Sequence, residues 1–244
     1  MNNTDFYCLA IIPARGGSRG LPGKNLQTVG GRTLVYRAVR AAIESGCCHR
    51  VICSTDDDAI SAEAVRAGGD VPFRRPDELA SDTATSMQVV RHAVDRIEGE
   101  RGRPVDLVCL VEPTTPLRLP ADIRRAVDLL VNADPPADSA VSVCAVLDAH
   151  PAWLRKVVDG EMVPYFPDMP EPTRRQDLQR YPAPYRRNGA VYVTRRDVVV
   201  RDNSLYGRRC LACQMPPERS INIDSFMDLV CARAVWQELL GGVD

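Results

Sequence analysis

Short apolar runs alternate with amphipathic stretches along most of this chain, and that alternation narrows the available folds more than any other feature. Residues 6–12, 51–55, 107–111 and 139–147 read as strands, the third of them buried on both faces. Between the first two, residues 33–44 carry Leu34, Val35, Ala38, Val39, Ala42 and Ile43 at helical spacing and stop at Ser45-Gly46, a C-cap signal. Residues 86–97 repeat Val89, Val90, Ala93, Val94 and Ile97 in the same way. Pro120 suits a first helical turn ahead of Ile123, Val127 and Leu130, and a last helix is expected over residues 226–240. Strands and helices in turn predict an α/β fold, a mostly parallel sheet with helices on both faces. A chain of 244 residues suffices for one such domain, expected to run from 1 to 244.

Charge and composition then exclude several classes of function. The 31 Lys and Arg against 32 Asp and Glu leave a net charge of -1, which argues against a sequence-independent nucleic-acid or membrane-surface binder. The apolar run at residues 6–12 is too short for a bilayer, which takes about 20 residues, and has no basic segment before it. A cytoplasmic protein is expected. Cys8, Cys53, Cys109 and Cys144 sit inside strand-like runs as small hydrophobes, while Cys210 and Cys213 form a CxxC with no partner pair. Neither a disulfide framework nor a zinc site is expected. Periodicity weakens over residues 150–187, where Pro164, Pro167, Pro170, Pro172, Pro182 and Pro184 cluster among charges and aromatics. Such a stretch is a mobile linker or an arm that folds against something else.

The chemistry concentrates directly after the first strand, in Pro13-Ala14-Arg15-Gly16-Gly17-Ser18-Arg19-Gly20-Leu21-Pro22-Gly23-Lys24-Asn25. A glycine-rich turn leaving a strand can present backbone N–H groups to phosphate, and three cations (Arg15, Arg19, Lys24) add charge. No Gly-Lys-Ser/Thr ends the loop, and the G-x-G-x-x-G spacing is absent, so it is neither a Walker A loop nor a dinucleotide fingerprint. Asp57 and Asp58 are expected to start a helix, since negative charge suits a helix N-terminus. Asp82 and Ser86 are candidate caps for the helix over 86–97, and Asp224 for the last helix.

Several segments in order carry a resemblance to a known family. Besides the loop, they are Ser54-Thr55-Asp56, Arg75-Pro76, Leu79-Ala80-Ser81-Asp82-Thr83-Ala84-Thr85-Ser86 and Pro113-Thr114-Thr115-Pro116-Leu117-Arg118. Arg174-Arg175-Gln176-Asp177-Leu178, Asn188-Gly189-Ala190-Val191-Tyr192 and Ile221-Asn222-Ile223-Asp224 complete the set. The ordered set resembles the acylneuraminate cytidylyltransferases, or CMP-sialic acid synthetases, over nearly the whole chain. The resemblance implies a Rossmann-like three-layer nucleotidyltransferase that moves CMP from CTP to an acidic acceptor and releases pyrophosphate. It implies Mg²⁺ as cofactor, at Asp224 and Asn222, and a homodimer formed through a protruding arm, which would be residues 150–187. Arg15 and Lys24 would be the catalytic cations. Ala14, Gly16, Gly17, Ser18, Arg19, Asn25, Arg75, Asp82 and Ser86 would bind the nucleotide. Glu112, Arg175, Arg186, Asn188 and Tyr192 would face the acceptor.

The nucleotide half of this pattern matches better than the acceptor half. Sialic-acid enzymes of the family commonly carry Gln where this chain has Glu112, and a carboxylate repels an acidic acceptor unless a cation, a metal or a donor group intervenes. Some members have Lys after His-Pro, where Ala152-Trp153 follows His150-Pro151 here. The familiar Asp-x-Asp reads Asn222-Ile223-Asp224, and Asn offers a carbonyl oxygen without charge. The stretch Tyr181-Pro182-Ala183-Pro184-Tyr185 is also longer than usual. The leading acceptor is a nine-carbon keto-sugar acid of the sialic type. The alternatives are a small phosphonate, as in natural-product biosynthesis, and a nucleotide-binding paralogue without catalysis.

Overall fold

The computed structural model describes residues 6–18, 20–146 and 149–240. In chain order the first elements are β1 (Cys8–Pro13), a small hairpin of β2 (Thr28–Val29) and β3 (Arg32–Thr33), α1 (Leu34–Glu44) and β4 (Arg50–Ser54). Then come α2 (Asp58–Arg66), the one-turn α3 (Asp77–Ala80), α4 (Ser86–Arg101), β5 (Leu107–Leu110), α5 (Pro120–Val131) and β6 (Ser139–Ala145). A second hairpin, β7 (Arg155–Val158) and β8 (Glu161–Pro164), precedes β9 (Tyr185–Arg195), α6 (Arg196–Arg201), β10 (Cys210–Gln214) and α7 (Phe226–Val235). Six strands form the central sheet in the order β10-β6-β9-β5-β1-β4. β9 runs antiparallel to β5 and β6, and the other neighbours are parallel.

The alternation of side chains along β1 builds the layers. Cys8, Ala10 and Ile12 pack with Val35, Ala38 and Val39 of α1 and Ile123 and Val127 of α5. Leu9 and Ile11 point the other way, onto Val90, Ala93, Val94 and Ile97 of α4. All these residues are fully or almost fully buried, and each large aliphatic side chain removed from water contributes about 1.5–3 kcal/mol. Local signals set the helix ends. Thr33 caps α1 by accepting from Tyr36 N, and Gly46 takes the left-handed conformation after its end (φ 66°). Asp57 caps α2, as the acidic run predicted, by accepting from Ile60 N. α4 is capped by Thr85 in a capping box with Gln88, so neither Asp82 nor Ser86 does that work.

The departures from the sequence reading concern the second half. β9 and β10 were not anticipated, although β9 fills the centre of the sheet. Residues 150–187 are no structureless linker: they hold the β7–β8 hairpin and two 3-10 turns, and β9 already begins at Tyr185. Trp153 Nε1 donates to Pro172 O at 3.0 Å and Tyr181 Oη to Pro170 O at 3.0 Å, which folds this arm on itself. The last helix ends at Val235 and continues as one π-helical turn, Trp236–Leu240. The strand expected to reach 147 ends at Ala145, and Leu147 lies outside the described residues. All nine cysteines are free thiols. Cys213 is buried and Cys210 exposed three residues earlier on the same strand, so they point to opposite faces and cannot share a ligand.

One irregularity matters for the site. Val141 pairs with Tyr192 but Val143 with Arg187, so β9 bulges outward over residues 188–191 opposite Ser142. Gly189 sits in that bulge with φ 73°, a conformation that side chains rarely adopt.

Candidate active site

The end of β1 delivers the chain into a cavity of about 260 Å³. From the loop it is lined by Pro13, Arg15, Ser18, Lys24 and Asn25, and Arg75, Leu79, Ser81, Asp82, Thr85 and Ser86 form the opposite wall. Glu112, Pro113 and Thr114, just beyond β5, close it. A ligand cleft outside the carboxyl ends of parallel strands is where an open α/β sheet places one.

The loop is held in shape from several sides. Ala14 N donates to Ser54 O at 3.0 Å, Gly16 N to Asp56 Oδ1 at 3.1 Å, and Asn25 Nδ2 to Arg15 O at 2.9 Å. Asn25 is buried, so its amide works as an internal brace as well as a wall of the cavity. Gly20 lies so close to the Asp224 carbonyl that a Cβ there would come within 2.4 Å of it. Arg19 lies outside the described residues.

Arg15 bridges the cavity: its Nη1 donates to Ser81 O at 2.9 Å and its Nη2 pairs with Asp82 at 2.9 Å. Lys24 Nζ pairs with Asp224 Oδ1 at 2.9 Å and donates to Ile223 O at 3.1 Å. The N-cap of α7 is Ser225, not Asp224, which leaves the Asp224 carboxylate for Lys24 and Asn222. Arg75 is buried and bonds Ser54 through its Nε at 3.1 Å and through Nη2 to the carbonyl. Burial holds its guanidinium below the ordinary arginine range, partly offset by Asp56.

The acceptor candidates divide. Glu112 faces the cavity, and burial pushes its carboxyl up to about 6, with Arg118 opposing and Asp224 adding to the rise. Arg186 Nη2 donates to Ser220 O at 3.1 Å. Asn188 does not reach the cavity: inside the β9 bulge its Oδ1 accepts from Ser142 Oγ at 2.6 Å and its Nδ2 donates to Ser220 Oγ at 2.8 Å. Tyr192 is buried among Leu9, Ile11 and Leu110, and that burial raises its phenol pKa. Arg175 lines a separate cavity of the arm with His150 and Tyr181. Two further residues, unmarked by the sequence reading, shape the site. Asp56 orients the loop, and the buried Arg118, lowered to about 10 by burial, ties Ala190 O to the backbone of Glu112. Both stood inside quoted segments, but only the tertiary contacts reveal their work.

The residues named for Mg²⁺ suit a hard cation. Asn222 Nδ2 donates to Asp224 Oδ2 at 2.6 Å, which leaves Asn222 Oδ1 buried with no donor. Among the described residues no three His, Cys, Asp or Glu side chains gather as a metal cage. One or two carboxylates with amide, water and phosphate oxygens is, however, the set that Mg²⁺ takes. No described helix is long and apolar enough to cross a membrane.

Comparison with known proteins bears on the family and the fold. The cytidylyltransferase family profile matches residues 9–211. The chain is 33% identical over 228 residues to the CMP-N,N'-diacetyllegionaminic acid synthase of Legionella pneumophila, covering 90% of this chain and 92% of that one. It is 30% identical over 234 residues to the N-acylneuraminate cytidylyltransferase of Escherichia coli, covering 94% of this chain and 52% of that one. The chain thus spans about half the length of that relative. Among solved structures, CMP:2-keto-3-deoxy-manno-octonic acid synthetase complexed with CTP superposes with a TM-score of 0.70 at 18% identity, covering 96% of this chain and all (100%) of the other. A 4-diphosphocytidyl-2C-methyl-D-erythritol synthase of Anaerococcus prevotii shares the fold at a TM-score of 0.64 and 14% identity, covering 96% of this chain and 97% of the other.

Proposed function

The chain belongs to the cytidylyltransferase family and is a nucleotidyltransferase, and from that premise we propose that it transfers CMP from CTP to a nine-carbon keto-sugar acid in the cytoplasm, releasing pyrophosphate, as a homodimer. The observation that carries this reading is the cavity at the end of β1, where Arg15 and Lys24 converge from one glycine-rich loop. The relatives named for legionaminic and neuraminic acids support the acceptor class, and none of the relatives described above is named for a phosphonate.

Attack by the acceptor hydroxyl on the α-phosphorus builds negative charge on the transferred group and on the departing pyrophosphate. Arg15 and Lys24 meet that charge as cations whose positions are fixed beforehand by Asp82 and Asp224. A triphosphate would compete with Asp224 for Lys24 and release the carboxylate. Backbone N–H groups of the loop at Gly17 and Ser18 add donors, and Arg75, Asp82 and Ser86 offer polar groups to the base and ribose on the opposite wall. Mg²⁺, when bound, supplies positive charge to the phosphate oxygens, with Asp224 and Asn222 holding it. Glu112 stands at the acceptor end, Arg186 and Arg175 would have to reach it from β9 and the arm once an acceptor is bound, and Asn188 and Tyr192 act behind it by shaping β9.

The test is pyrophosphate release from CTP and Mg²⁺ with a panel of nonulosonic acids, a 3-deoxy-octulosonic acid and small phosphonates. Turnover with at least one nine-carbon acid is expected. Turnover with phosphonates alone, or CTP binding without product from any acceptor, would overturn the reading in favour of the small-acceptor or the non-catalytic version.

A further inference from the structure

Three oxygens from two separate segments, the turn after β5 and the run before α7, approach the β9 bulge. A Cβ placed on Gly189 would lie 3.0 Å from Glu112 Oε2, 3.4 Å from Asn222 Oδ1 and 3.4 Å from Thr115 Oγ1. The Thr115 hydroxyl already donates to Asn188 O at 2.8 Å, so it has no proton for its neighbours. Asn222 Oδ1 is buried and receives no donor, because its amide nitrogen is turned to Asp224. Among the described residues no hydrogen bond or ion pair reaches the Glu112 carboxylate, although Arg118, Lys24 and Arg187 lie within electrostatic range and oppose the effect of burial and Asp224. Oxygen acceptors crowded together and shielded from water are unfavourable unless a cation or a donor enters between them.

We propose that Glu112 is a ligand of the divalent cation, supplying from the β5 side the negative charge that the neutral Asn222 lacks. Two carboxylates, Glu112 and Asp224, would then join the amide oxygen of Asn222 as ligands, with water and nucleotide phosphate oxygens in the remaining positions, the mixed set that suits Mg²⁺. Gly189 belongs to the same device, since any side chain there would fill the space where the oxygens meet. The inference rests on the CTP reading above, because phosphate oxygens complete the shell. It also gives Glu112 a purpose in a pocket meant for an anion, where a carboxylate turned to the acceptor would repel it.

Mn²⁺ is the probe, its free ion counted by electron paramagnetic resonance in solutions of the full chain with CTP and no acceptor. Glu112→Gln should weaken Mn²⁺ binding by at least about tenfold, while metal-free CTP affinity, measured by calorimetry, stays within about threefold. Adding Asn222→Asp to that variant should restore Mn²⁺ affinity to near the parent value, because the charge has only moved across the site. The same loss should separate Asn222→Asp from the double variant, a comparison that does not depend on how well the single Glu112→Gln chain folds. Mn²⁺ affinity unchanged by Glu112→Gln in both backgrounds, with a raised acceptor KM, would overturn the proposal and make Glu112 an acceptor contact. Absent CTP binding in the parent chain would sink the nucleotide reading instead, and the same comparison without nucleotide then decides the role of Glu112.

Discussion

Lys24 illustrates what one side chain does in this protein and how much of it could be read early. Its position in a cationic glycine-rich loop marked it as a phosphate contact from the residues alone. Its partner could not be read, because Asp224 lies 200 positions away. The pair leaves the Lys24 side chain 15% exposed, so the ammonium is partly desolvated and aimed before any ligand arrives. Lys24→Ala should therefore lower kcat/KM by at least about a hundredfold, the scale of losing one preorganised charge, with an unchanged far-UV spectrum. A mild loss in steady-state kinetics would count against the loop as the phosphate grip. Asn188 and Tyr192 show the opposite case. As residue types they suit an acceptor pocket, yet one pins a bulge and the other fills a core. Side-chain direction on β9 follows from an irregular register that no local pattern encodes.

Among the elements, those with strong periodicity were legible and those defined by their neighbours were not. β1, α1, α4 and α5 carry their own patterns, and their ends fell within a few residues of the expected ones. β9 opens with Tyr185-Arg186-Arg187-Asn188-Gly189, which weakens the strand signal, and it exists because β5 and β6 supply its ladder from either side. α5 shows how an element is joined to the site. Asp122 caps its start by accepting from Leu119 N at 2.9 Å, and its other oxygen accepts from Arg125 at 2.8 Å and Arg219 at 2.9 Å. The carboxylate is fully buried. Arg219 begins the run that leads to Asn222 and Asp224, so this cap also anchors the segment proposed to hold Mg²⁺. Asp122→Ala should destabilise the chain by about 3 kcal/mol, since it strands a guanidinium beside a helix end. Urea unfolding measures it, and a change below about 0.5 kcal/mol, the level of ordinary surface substitutions, would contradict the assignment.

For the molecule as a whole, the arm is the feature that a lone chain leaves unexplained. Val157 and Met162 face each other across the β7–β8 hairpin and are 76% and 72% exposed. Tyr165 and Phe166 follow just after the hairpin, both exposed as well. An apolar surface carried on a two-stranded hairpin is costly in water and marks an interaction face. The homodimer proposed above puts a second copy there. Light scattering at micromolar concentration should give a dimer for the parent chain and a monomer for the Val157→Asp, Met162→Asp double variant. A parent chain that is monomeric would refute the arm's role. Periodicity was enough to set the α/β class, and a strand-exit loop rich in glycine and arginine to mark the end where the cavity lies, because both are encoded within a few neighbouring residues. The convergence of Glu112, Thr115, Gly189, Asn222 and Asp224 was decided only by folding. Those residues come from segments up to about 110 positions apart, and what brings them together is the antiparallel insertion of β9 between two parallel strands.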